Sequence, residues 1–224
     1  MENLSVPNNG SARVVNKEKR RRRILDHARR IIAKKGFDAL KLRELAASAD
    51  VTVPTIYNLI GGKPEMLRFI IEELVERLQE VQNQSDLEDV EAAFESQIED
   101  LAKLFAEDED YYRAAFIAGD RSGLFEQSSS SGIFARSVQL PVEACKVAQS
   151  AGLLAGSVSA EQMGRQIYGC YRLARQDWVN GYFDLPGFRD QALTGIFLCL
   201  AADANPEFHN RLINRLSSLP VTMS

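Results

Sequence analysis

Groups able to do covalent or metal chemistry are few and scattered in this chain. The two histidines, His27 and His209, stand near opposite ends of 224 residues, and no Ser-His-Asp spacing, HExxH, phosphate loop or Gly-rich dinucleotide motif accompanies them. GGKPE at 61–65 contains Gly and Lys without the phosphate-loop pattern. Cys145, Cys170 and Cys199 lie 25 and 29 residues apart, which is no paired metal-ligand spacing, and their odd number argues against a disulfide framework. Buried reduced thiols are expected, with redox sensing as a less supported use. The chain reads as no enzyme, with no cofactor and no metal.

The chemistry that the residue types do support is phosphate and base contact. Residues 13–70 carry 15 Lys or Arg against 6 acids, including the run Arg20, Arg21, Arg22, Arg23, while residues 71–224 carry 12 against 24. A net charge of minus 4 thus hides plus 9 over residues 13–70 and minus 12 over residues 71–224, with Glu2 supplying the last negative charge. A basic head gains from counterion release on a polyanion, and an acidic body resists non-specific adsorption. A merely solvated basic helix is the alternative use of the same charges.

Those residues need elements to position them. Residues 1–16 read as a disordered arm. From Lys17, the apolar residues Ile24, Leu25, Ala28, Ile31 and Ile32 line one face of a helix that runs to Lys35 and stops at Gly36. Leu42, Leu45, Ala46 and Ala49 mark a short second helix from Leu42 to Ser48. Thr52 before Val53 and Pro54 is a start signal for a third helix through Ile60. Lys63, Pro64 and Glu65 open a long fourth. Beyond a polar break at Gln82–Asp86, helices are expected over 87–106, around Tyr111–Phe116, and over 133–155, 159–182, 186–204 and 206–216, with a flexible Ser-rich loop at 127–132. No strand alternation persists, so the fold expected is all-α with nine or ten helices. No run is apolar enough for a membrane span and the start has no signal-peptide core, so a soluble cytoplasmic protein is expected.

Two short helices joined at Ser48–Val51, with small Ala46, Ala47 and Ala49 permitting close crossing, form a helix-turn-helix. The second would enter the DNA major groove, exposing Thr52, Val53, Thr55, Tyr57 and Asn58 while Ile56 and Ile60 face inward. The segment LRELAASADVTVPTIYNLIGGKPEML resembles the tetracycline-repressor (TetR) family of bacterial regulators: Leu45, Ala46, Ala49, Val51, Thr55, Ile56, Tyr57, Lys63, Glu65 and Leu67 match in order and spacing. It departs at Asp50, Val53, Leu59, Ile60 and Gly62, where Gly, Ser, His or Tyr, Phe and Ser are common. The resemblance implies DNA contacts at Arg43, Thr52, Val53, Pro54, Thr55, Tyr57 and Lys63, with Arg20–Arg23 reaching the flanking backbone or minor groove; Val53 could offer apolar contact to a thymine methyl. Core packing is the alternative use of Tyr57.

The resemblance also implies an architecture: a three-helix DNA-binding domain at 17–62 and a helical effector-binding and dimerisation domain at 63–224. It further implies a repressor that binds a palindromic double-stranded operator as a homodimer and is released by a small-molecule effector. Leu193, Ile196, Phe197 and Leu200 with Ile167, Tyr171, Ala174 and Trp178 supply two apolar stripes, either for a dimer interface or for packing inside one subunit. A ligand pocket is expected among Phe94, Ile98, Leu101, Phe105, Tyr112, Phe116, Cys145, Tyr168 and Tyr171, suited to a hydrophobic effector. The rival is an architectural or partner-recruiting DNA-binding protein that senses nothing.

Overall fold

A computed structural model describes residues 9–82, 89–126 and 133–220. Among the described residues the chain is all-α: α1 (Asn9–Lys35), α2 (Leu42–Ser48), α3 (Val53–Leu59), α4 (Lys63–Gln82), α5 (Val90–Ala106), α6 (Glu109–Arg121), α7 (Ile133–Ser150), α8 (Ala160–Val179), α9 (Leu185–Ala201) and α10 (Pro206–Ser218), with a 3-10 turn at Leu124–Glu126. No described helix is long and apolar enough to cross a membrane. The first helix begins at Asn9, so residues 9–16 of the expected arm are helical instead, as a continuation of the well-formed turns behind them. The Ser-rich loop at 127–132 and most of the break at 82–86 fall outside the described residues.

α1, α2 and α3 form the head around Ile24, Ala28, Ile32, Leu45, Ala49 and Ile56, each at most 1% exposed. The turn between α2 and α3 closes the way a helix end does. Val51 N donates to Ala46 O and Asp50 N to Ala47 O, with Asp50 at φ +50°. Asp tolerates that left-handed geometry where most residues do not, so the departure at this position keeps the turn. Thr52 caps α3 by accepting from Thr55 N at 3.3 Å, and Pro54 occupies its first turn. Gly62 caps α4 without a hydroxyl; Glu65 reaches back to Gly62 N at 2.8 Å and supplies the other half of the capping box.

Behind the head, α4 and α6 lead into the body, where α8 packs between α7 and α9 and α10 lies on α9. At the α7–α8 crossing, a Cβ on Gly164 would lie 2.7 Å from Val142 N and 2.8 Å from its Cα, so the two backbones meet there as closely as glycine allows. The centre of the body is aromatic: Phe105 stacks on Trp178 with centroids 4.9 Å apart and planes 9° apart, and Tyr112, Phe116 and Phe188 pack around Phe105 at 5.4 to 5.5 Å. The stripes considered for dimerisation close within one chain. Ile167, Ala174, Trp178, Leu193, Ile196, Phe197 and Leu200 are all buried in the seams of α8 and α9 with their own subunit, and Tyr171 is half-buried beside them.

Candidate nucleic-acid interface and effector cavity

The outer face of α3 is open. Ile56 is buried beneath it, and Tyr57 stands out with 57% of its surface exposed, beside exposed Thr52, Pro54 and Asn58. Thr55 is half-buried, and its hydroxyl pairs with that of Thr52 at 2.9 Å, which fixes both groups on the first turn. Val53 and Leu59 are half-buried against the core; Val53 therefore offers at most its edge to a base, and Leu59 serves packing, so the loss of a polar group there removes no reader from the open face. Arg43 is exposed on α2, as are Arg20 and Arg23 on α1. Arg23 donates through Nη2 to Asp50 O at 3.4 Å, placing a cation on the turn of the helix-turn-helix. Arg21 and Arg22 are engaged with Glu18, and the Arg21 guanidinium lies 4.9 Å from the Phe69 ring centre.

Lys63 is held more firmly than sequence reasoning foresaw. Its Nζ donates to Asp38 O at 3.1 Å and lies 5.1 Å from the centre of the Phe37 ring. Asp38 in turn pairs through its carboxylate with Arg121 at the end of α6, at 3.0 Å. The loop after α1, the start of α4 and the end of α6 therefore meet at one polar junction between head and body. An ammonium has three donors, so the Asp38 contact leaves Lys63 able to reach a phosphate as well.

Two small cavities of about 20 Å³ each lie inside the body, and Tyr168 and Tyr171 line both. Phe94 and Ile98 line one of them with Pro141 and Ile196; Arg175, Gln79 and Ser137 line the other. Four of the nine expected pocket residues thus converge. Phe105, Tyr112 and Phe116 instead fill the aromatic centre, and Leu101 and Cys145 are buried in the core away from both cavities, because each of these stripes is covered by a neighbouring helix rather than by empty space. Burial pushes the Tyr112 phenol and the Cys145 thiol each up to about 12, and raises Tyr171 as well, so all three are neutral near pH 7. The charged group at the cavity is Arg175. Its Nη2 reaches both carboxylate oxygens of Asp120 at 3.1 and 3.3 Å, its guanidinium lies 4.6 Å from the Phe116 ring centre, and its buried Nε has no hydrogen-bond partner. The roomier clefts, about 480 and 470 Å³, are surface grooves, one between α1 and α4 and one between the α1 end and α6.

Residues 24–68, from within α1 to within α4, match the family described as bacterial regulatory proteins, tetR family. The match spans the head and the start of α4. A sequence search of curated proteins gives no match. Among solved structures, SmeT, the repressor of the Stenotrophomonas maltophilia multidrug efflux pump SmeDEF, superposes with a TM-score of 0.65 at 21% identity over 84% of this chain and 92% of that one. A SmeT–triclosan complex gives 0.60 at 18% over 85% and 94%. FadR of Thermus thermophilus, a TetR-family transcriptional repressor in complex with lauroyl-CoA, gives 0.54 at 21% over 81% and 93%. At these identities the likeness is one of fold, and it spans head and body together.

Two residues outside the seven motif positions, both named above from the sequence, take defined places at the candidate interface. Asn58 stands exposed beside Tyr57 with an amide suited to base edges, and Arg23 sits at the turn. The first was visible as an exposed position of the third helix. The second lies 27 residues from its partner, and nothing local signals that pairing.

Proposed function

We propose that the protein is a tetR-type transcriptional repressor that binds a palindromic operator as a homodimer in the cytoplasm, with residues 17–62 on DNA and residues 63–224 sensing an effector and dimerising. The observation that carries this reading is α3: a Thr-capped helix whose inner face is buried and whose outer face presents Thr52, Pro54, Tyr57 and Asn58 on the basic head. A helix held on one side only, with donors and hydroxyls on the other, suits major-groove docking. Tyr57 and Lys63 would take phosphate, and Arg43 a base or phosphate. Dimerisation would use the outward face of α8 and α9, where Leu173 and Leu198 are 56% and 54% exposed, in place of the stripes that close within the chain.

The effector would enter between α4, α5, α7, α8 and α9, at the paired tyrosines. Drug-sized ligands occupy roughly 300 to 1,000 Å³, far more than the two cavities of about 20 Å³ offer. Binding therefore requires the body to open, and an effector that binds only the opened body shifts the equilibrium toward it. Apolar walls with hydroxyls, plus the unpartnered Arg175 Nε, favour a hydrophobic molecule carrying one hydrogen-bond acceptor. The smallness of the cavities is also what favours the second reading, an architectural DNA-binding protein without a sensor.

A paired assay separates the two. An operator is selected from random duplexes, and hydrophobic acids and phenols, triclosan and lauroyl-CoA among them, are tested for both a rise in melting temperature and release of that operator. A compound that does both supports the sensor; a body that no compound stabilises sinks it while leaving DNA binding intact.

A further inference from the structure

α8 and α9 bring two of the three cysteines together. Cys170 Sγ and Cys199 Sγ lie 3.7 Å apart, and both thiols are free. They stand 29 residues apart in sequence, and the helices meet there because Gly195 faces Cys170: a Cβ on Gly195 would sit 2.6 Å from Cys170 Cβ. One turn later on α9, Cys199 reaches the same thiol. Neither residue is fully buried, so a small oxidant can reach the pair in the single chain. Cys145 is the opposite case, fully buried.

We propose that Cys170 and Cys199 form a redox-sensing dithiol that a hydroperoxide closes into a disulfide between α8 and α9 of one chain. The Cys170 thiolate attacks a peroxide oxygen: an S–O bond forms, the O–O bond breaks, and hydroxide leaves. Cys199 sulfur then attacks the sulfenic sulfur, forming S–S and breaking S–O, and its proton leaves with the second oxygen as water. Two thiols and one hydrogen peroxide give one disulfide and two waters. Closure needs the sulfurs to come from 3.7 Å to about 2.05 Å, a side-chain adjustment between helices already in contact. A hydrogen bond from Cys199 stabilises the thiolate and holds the Cys170 thiol down at about 7, against the opposing effect of its partial burial; a thiolate fraction near neutral pH is what peroxide attack requires.

The chemistry stands whether or not the protein is a repressor. Its consequence rests on the proposed dimer, because the pair lies on the same helices as exposed Leu173 and Leu198, and a covalent staple between α8 and α9 alters the face that two copies would share.

The test treats the reduced full-length chain with hydrogen peroxide. Free thiols titrated after denaturation should fall from the three that the sequence carries to one, and the intact mass should drop by about 2 Da as two hydrogens leave. The chain should stay unlinked to a second copy on a non-reducing gel and yield a Cys170–Cys199 peptide. Cys145→Ser should close as the wild type does; Cys199→Ser should stop at a sulfenic acid on Cys170 that dimedone captures. Thiols that survive excess peroxide, a mass gain from sulfinic acid in place of the loss, or disulfides between chains would each overturn the proposal. Sedimentation of the reduced protein keeps the two readings apart: a monomer that still closes its disulfide sinks the dimer alone, and a dimer that resists closure sinks the dithiol alone.

Discussion

Tyr57→Phe removes one hydroxyl and nothing else. The ring is 57% exposed and its inward neighbour Ile56 carries the packing of α3, so the loss should leave thermal stability unchanged. If the hydroxyl donates to a phosphate, the variant loses a hydrogen bond to a charged group, worth about 1.5 kcal/mol per half-site at the lower end of the usual range. Over two half-sites of a dimer that is about 3 kcal/mol, or roughly a hundredfold in Kd. No charge changes, so the slope of log K against log salt should match wild type. Lys63→Met is the companion measurement. Removing a cation from one phosphate per protomer should reduce that slope by about 0.9 per half-site. Because Nζ also holds Asp38 O and covers the Phe37 ring, this variant should in addition lose about 1 kcal/mol of stability. Fluorescence anisotropy on a selected operator at four salt concentrations, with thermal melts alongside, reads all of these. A Tyr57→Phe variant that binds within twofold of wild type at every salt would remove the hydroxyl from the phosphate and refute the docking; a changed slope in that variant would refute the electrostatic reasoning.

Two predictions concern the body. Gly164→Ala places a methyl against Val142 N and Cα, which cannot rotate away; overpacking of about 1–3 kcal/mol less a helix-propensity gain of about 1 leaves a net loss of about 0–2 kcal/mol, and a higher melting temperature would contradict it. Asp120→Ala leaves Arg175, whose side chain is 3% exposed, without its carboxylate; the loss should be about 3 kcal/mol, because Asp120 itself is partly open. That corresponds to roughly 6 to 12 °C in the melt, and the double change Asp120→Leu with Arg175→Met should recover much of it. A shift below one degree in the single variant would show the pair to be ornamental.

The head was legible because its signals are local. Thr52 and Pro54 start α3 within three residues of where their chemistry acts, and the Ala46–Ala49 run with Asp50 fixes the turn. α2 accordingly has the bounds read from its stripe, Leu42 to Ser48. The body was legible only as helices. Periodicity shows that Leu193, Ile196, Phe197 and Leu200 must be covered, but not by what, and here the cover is the same chain. Leu198 lies inside the apolar run Ile196–Ala201 and Leu173 between Arg172 and Ala174, so nothing in the pattern marks them off, and yet both are left exposed. The same limit applied to the pocket: Phe105, Tyr112 and Phe116 are as aromatic as Tyr168 and Tyr171, and only the packing of Tyr112 and Phe116 around Phe105, against the position of the last two beside open space, separates filled core from cavity wall. The Cys170–Cys199 contact, and the Lys63–Asp38–Arg121 junction, join residues far apart in sequence through helix placement that no local pattern encodes.

The claim that two copies of this head read one symmetric site is tested most directly by hydroxyl-radical footprinting of the full-length protein on its selected operator, with the stoichiometry of the complex measured by sedimentation. Protection related by a two-fold axis is expected, with half-site centres about one helical turn, roughly 10 base pairs, or a multiple of it apart, and an even number of chains per duplex. Protection of a single unpaired half-site by one chain, or protection without sequence preference, would contradict it.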